Sequence, residues 1–77
     1  MIRRTEPLMA CSVEATPGAL VLVLPDRRVP IPWERCSPKL AAASEAQRRD
    51  LELSPGGYGI HWPRLDEDLS VGGLLRS

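Results

Sequence analysis

The feature that most limits the fold is the run Ala19-Leu20-Val21-Leu22-Val23-Leu24, the longest apolar stretch in the chain. Pro17-Gly18 stands before it and Pro25-Asp26 after it, and both are turn signals. A segment this short, punctuated at both ends, reads as a strand rather than a helix. Alternation puts its leucines on one face and Val21 and Val23 on the other. A strand that is apolar on both sides belongs in the centre of a sheet. The chain has 77 residues, which makes one domain at most, and a domain this small buries only roughly 60% of its unfolded surface. Helices must cover one face of the strand, and the other calls for a further surface such as a partner chain.

The neighbouring segments fit an antiparallel meander around that strand. From Met9 to Thr16 the residues alternate, with Met9, Cys11, Val13 and Ala15 on one side, the period of a half-buried strand. From Arg28 to Pro32, Val29 and Ile31 share a face, while Pro30 and Pro32 cannot donate ladder hydrogen bonds. That strand must therefore sit at an edge or pair only partially. The middle of the chain turns helical. Pro38 suits the first position of a short helix through Leu40 and the alanines 41–43. Ser44-Glu45-Ala46-Gln47 has the spacing of a capping box for a turn reaching Asp50. Leu40, Ala43 and Ala46 form its thin apolar face.

Leu51-Glu52-Leu53, a glycine-rich loop and Ile60-His61-Trp62 then read as strand, loop, strand. A symmetric closure of the loop sets Glu52 opposite His61, with Leu51 and Leu53 sharing the other face with Ile60 and Trp62. Pro63 ends the strand. Ser70 is placed to cap a weak last helix from Val71 to Leu75, with Asp66-Glu67-Asp68 as favourable charge ahead of it. The expected fold is α+β: a small antiparallel sheet, made of a meander of three strands plus a C-terminal strand pair, with one or two short helices. One domain spans residues 1–77, and residues 1–8 read as a frayed end.

Ten basic residues balance ten acidic ones, so the formal net charge is zero. That removes the electrostatic attraction to phosphate on which most nucleic-acid binders depend. A DNA-binding regulator would have to use Arg27, Arg28, Arg48 and Arg49, yet each pair lies near a carboxylate in sequence. Binding of nucleic acid by the chain alone is not expected. Phe is absent, so Trp33 and Trp62 are the bulkiest core pieces. Nothing at the N-terminus resembles a signal peptide, and no apolar run is long enough to cross a bilayer. Together these predict a cytoplasmic protein away from the membrane, with Cys11 and Cys36 as reduced structural thiols.

The stretch from Gly59 to Ser70 concentrates what chemistry the chain offers, holding the lone His61, Trp62 and three adjacent acids. His61 with Asp66 suggests a small metal-dependent hydrolase, since a carboxylate can orient an imidazole and clustered acids can hold a hard cation. The plainer reading is a strand histidine that bonds its neighbours. A zinc site from Cys11, Cys36 and His61 lacks paired ligand spacing. The glycine loop lacks the Lys and Ser/Thr of a phosphate cradle. No catalytic residue, metal ligand or cofactor is assigned. The candidate partner contacts are Tyr58, Arg64, Asp66, Glu67, Asp68, Leu74 and Leu75, an acidic surface beside an exposed aromatic. Trp33, Glu52, Ile60, His61 and Trp62 read as structural.

Gly59-Ile60-His61-Trp62-Pro63, then Leu65-Asp66-Glu67-Asp68-Leu69-Ser70-Val71 and Gly73-Leu74-Leu75, resembles the C-terminal signature of the bacterial domain-of-unknown-function family 2442. Val29-Pro30-Ile31 with Trp33, and Ala46-Gln47-Arg48 ahead of Leu51-Glu52-Leu53, extend the resemblance to about Leu20–Leu75. Arg27 departs from it, standing where the family usually has the Gly of an Asp-Gly turn, which argues against a type I′ hairpin there. The resemblance implies a small α+β domain with no established catalytic residues. It also implies a gene neighbour, in pairs that look like toxin–antitoxin modules. The expectation is a non-enzymatic, antitoxin-like interaction domain that binds the adjacent gene's product, with a homo-oligomer also open. A DNA-binding regulator and a small metal-dependent hydrolase are the alternatives.

Overall fold

Strand β2 (Ala19–Val23) takes the centre of a three-stranded antiparallel sheet, between β1 (Ser12–Ala15) and β3 (Arg28–Pro32). The structure is a computed structural model describing residues 9–76; the expected frayed end, residues 1–8, lies outside the described residues. Leu20 stands opposite Ala15 and Ile31, and Leu22 opposite Val13 and Val29, so these six residues line one face. Both leucines are fully buried, while Val21 and Val23 on the other face are half-buried. The β2–β3 turn closes with the Leu24 amide donating to the Arg27 carbonyl at 2.7 Å. Neither Pro25, Asp26 nor Arg27 has a positive φ, so the turn is not type I′, as Arg27 implied. With the Arg27 carbonyl turned towards β2, alternation turns Val29 and Ile31 the same way and Pro30 and Pro32 outwards, where a missing donor costs nothing.

The N-terminal alternation does not extend to Met9 and Cys11. Both are exposed, and Ala10 is buried instead. The cause is a change of partner: the Ala10 amide donates to the Gly57 carbonyl at 2.7 Å, which pulls Ala10 into the core and inverts the phase ahead of β1. Only Cys36, therefore, is a buried thiol.

Three short helices follow: α1 (Trp33–Cys36), α2 (Pro38–Ala41) and α3 (Glu45–Arg49). Ser37 caps α2 by accepting from the Leu40 amide, and Ser44 with Gln47 forms the reciprocal capping box of α3. Helix α1 was not expected, and Ala46, expected on an apolar face, is exposed. With only one turn, α3 relies on its cap more than on burial.

The C-terminal part forms a second three-stranded antiparallel sheet, β4 (Glu52–Leu53), β5 (Gly59–Trp62) and β6 (Glu67–Ser70), before helix α4 (Val71–Arg76). Glu52 pairs with His61 and Leu53 with Ile60, the register expected. The expected strand pair is thus a triplet. Glu67 and Asp68 are strand residues rather than free charges ahead of a helix, because Trp62 pairs with Glu67 and His61 with Asp68. Asp66, at φ 53, supplies the left-handed position that closes this hairpin, a conformation for which Asp is enriched. Ser70 then caps α4, its Oγ accepting from the Gly73 amide at 2.9 Å.

The two sheets share one apolar core in which Leu20, Leu22, Trp33, Leu40, Ile60 and Trp62 are all buried. Each indole N–H finds a carbonyl: Trp33 Nε1 donates to Thr16 at 2.9 Å and Trp62 Nε1 to Arg48 at 3.0 Å. Buried tryptophans need such partners. Arg48 sits between them, its guanidinium 5.0 Å from the centre of the Trp33 ring. The same side chain donates to the Leu40 and Ala41 carbonyls at the end of α2, both at 2.9 Å.

Candidate functional site

The acidic segment makes several contacts within the fold, while Arg64, Asp66 and Asp68 stay exposed. Arg64 Nε lies 2.8 Å from Asp50 Oδ2, joining the β5–β6 turn to the end of α3. Lys39 of α2 donates to the Leu65 carbonyl at 2.9 Å and stands 3.9 Å from Glu67 Oε1. Asp66 is a turn residue. Asp68 Oδ1 is 2.6 Å from His61 Nδ1, so the partner of His61 is Asp68 rather than Asp66. Glu52 faces His61 from the other side, giving an acid–histidine–acid row across the outward face of the second sheet. The row lies on an open surface: the His61 side chain is 39% exposed and that of Asp68 75%. Leu74 is buried in the core and Leu75 packs half-buried against it.

Tyr58 is different. It is 44% exposed, and its ring folds back over Gly56, where an added Cβ would lie 2.8 Å from Cε2. Met9, 41% exposed, is next to the Ala10–Gly57 hydrogen bond that Tyr58 also adjoins. Trp33, Ile60 and Trp62 are all core residues.

Cys36, with Leu69, Ser70, Gly73 and Leu74, lines a shallow open pocket of about 170 Å³. Burial pushes its thiol up to about 11; nearby Arg48 opposes the shift and Glu34 adds to it. Such a thiol stays protonated at neutral pH and is a poor nucleophile.

Of the four arginines open to a DNA-binding reading, three make exposed surface ion pairs and only Arg48 is taken up by the fold. Arg27 pairs with Asp26, Arg28 with Glu14 and Arg49 with Glu45, while Arg48 is committed to Trp33 and the end of α2. Sequence gave no sign of this for Arg48, whose partners are mostly main-chain carbonyls.

The outward face of the first sheet is the remaining feature. Register places Glu14, Val21 and Pro30 in one row and Ser12, Val23 and Arg28 in the next, with Ala19 beside Pro32. Every one of these residues is exposed or half-buried. Its centre is aliphatic, and Arg28 reaches diagonally across to Glu14 over the valines. The sheet edges, by contrast, are closed to an added strand. β3 presents Pro30 and Pro32, β4 has two residues, and α3 packs against β1. The Val71 amide bonds the Tyr58 carbonyl at 2.9 Å, which by alternation leaves Asp68 and Ser70 on the free edge of β6. Prolines, charges and short strands are the usual means of blocking edge pairing.

The family model for the Protein of unknown function (DUF2442) matches residues 10–77. The chain belongs to the DUF2442 family. A crystal structure of a protein of unknown function from Rhodospirillum rubrum ATCC 11170 is similar, with 31% identity and a TM-score of 0.78, covering 94% of this DUF2442 chain and 88% of that one. No curated protein matches. Among the described residues, no helix is long and apolar enough to cross a membrane.

Proposed function

We propose that this DUF2442 chain is a non-enzymatic, cytoplasmic protein-interaction domain, and specifically the antitoxin-like partner of a small protein encoded beside it. The observation that carries the reading is the outward face of the first sheet, where Ala19, Val21, Val23, Pro30 and Pro32 meet solvent. The solvated face of an antiparallel sheet is ordinarily polar. A contiguous aliphatic patch, rimmed by charge, marks a surface that another macromolecule covers. With the edges closed, docking goes through a face and its side chains rather than through added main-chain hydrogen bonds. Asp68 and Tyr58, exposed on the second sheet and its loop, extend the available surface with an acid and an aromatic anchor.

Co-expression with the adjacent gene's product, followed by size-exclusion chromatography, tests the reading. Co-elution is expected, and its loss with Val21→Asp is expected while the fold survives. Separate elution of the two wild-type proteins at micromolar concentrations would sink it.

A further inference from the structure

We propose that the outward face of the first sheet binds a second copy of this chain, in a two-fold dimer whose axis runs along β2. The inference rests on reading that face as an interface, and it names the first occupant. A two-fold contact buries the same patch on both copies, so the patch must complement itself. This one does. Val21 and Val23 occupy the central strand, the acidic Glu14 lies on β1 to one side, and the basic Arg28 lies on β3 to the other. Rotation about an axis along β2 lays β1 of one copy over β3 of its mate. The rotation keeps the rows level, so each Glu14 lies over the mate's Pro30 and within diagonal reach of that copy's Arg28 in the next row, on both flanks of a shared valine seam.

Within one chain Glu14 and Arg28 already pair, and both side chains are about half exposed. Arg28 reaches that acid by lying over the valines, so its aliphatic stem shields them in the monomer. Dimerisation exchanges two internal ion pairs for two equivalent ones between copies. The charge balance is unchanged, and burial of the aliphatic centre is the net gain. With a formal net charge of zero, the two chains do not repel. The face is small: strands about 4.8 Å apart with about 3.4 Å per residue span roughly 15 by 17 Å. That lies below the standard of about 800 Å² per partner, so the dimer is weak and concentration-dependent.

Sedimentation equilibrium from roughly 10 μM to 1 mM, a range chosen for weak association, reads the outcome. The wild-type mass should climb towards that of two chains, and V21D should remain monomeric with an unchanged far-UV spectrum. E14K and R28E each put like charges on both flanks, so each alone should be monomeric. Mixed in equal amounts they should associate at least about tenfold more tightly than either does alone. A wild type that stays monomeric throughout, a V21D chain that still dimerises, or a mixture no tighter than its components overturns the proposal. The two readings fail separately: if the wild type stays monomeric while V21D still blocks co-purification with the adjacent gene's product, the face remains an interface and only the second copy is removed as its occupant.

Discussion

The first sheet turns Ala19, Val21, Val23, Pro30 and Pro32 outwards, whereas the second turns out Glu52, His61, Asp68 and Ser70. Their inward faces match: leucine and isoleucine from both sheets meet one core, completed by one tryptophan on each side. Folding therefore makes the same demand on both sheets and is met the same way. The difference lies in the faces that folding does not use. A polar row of cross-strand pairs suits water, while the half-buried valines gain nothing from it. The contrast is the ground for proposing the first sheet's outward face, rather than the second's, as the main surface for a partner.

The largest expected effect comes from separating the two sheets. A Cβ at position 57 would run into the Ala10 carbonyl, and Gly57 has φ 79. Gly57→Ala should lose about 3 kcal/mol or more, read from the urea midpoint. Gly56 has a similar φ of 87 but would meet only the movable Tyr58 ring. Gly56→Ala should therefore lose clearly less, and equal losses would show that φ strain rather than the junction matters.

Trp33→Phe and Trp62→Phe come next, at about 2 kcal/mol each, since both lose an indole donor and core volume. Similar values would support equal roles for the two sheets in the core. A large inequality would break the comparison.

Cys36 gives a pH test on the helix that follows β3. The folded thiol ionises near pH 11, against 9.0 for the unperturbed group. Between those values only the unfolded chain releases its proton. The contribution is therefore complete below pH 9.0 and is lost as pH rises towards about 11, by up to about 2 to 3 kcal/mol. Comparing unfolding of the wild type with that of Cys36→Ala across this window isolates the effect. Alkylation at neutral pH should label the exposed Cys11 and spare Cys36.

The smallest effects belong to the outward faces. Asp68→Asn should lose less than about 1 kcal/mol, because its pairing with His61 is solvated. Val21→Thr should change monomer stability by no more than about 0.5 kcal/mol. Asp66→Gly, at a positive φ, should be neutral to within about 0.5 kcal/mol in urea titration. A larger loss on Asp68→Asn would assign the second sheet's polar face a structural weight that the comparison denies it.

Much of this arrangement was legible in the residues. The Leu/Val alternation gave the two faces of β2, the prolines pointed to an edge or partial pairing for β3, and symmetric closure of the loop from Ser54 to Gly59 set Glu52 opposite His61. Ser44 and Gln47 announced their cap. β6 was hidden because acids are poor strand formers and look more natural ahead of a helix. The strand exists because Asp66 turns the chain and Leu69 pairs with buried Ile60. Helix α1 is a single turn with no period to read. Arg48 was illegible for another reason: its contacts are carbonyls and a ring brought near only by folding. The candidate contact Leu74 was likewise absorbed by the core, and Arg64 reaches Asp50 while staying exposed, neither of which one-dimensional spacing reveals.

The Ala10–Gly57 hydrogen bond also bears on the order of assembly. Each sheet is made from contiguous chain joined by short connections, so its contacts are local and quick to form. The bond between position 10 and position 57 instead spans most of the sequence, and such a closure is the natural last event. Disrupting it should hasten unfolding while leaving the speed of refolding nearly untouched, which makes this junction the latch that sets the lifetime of the native state.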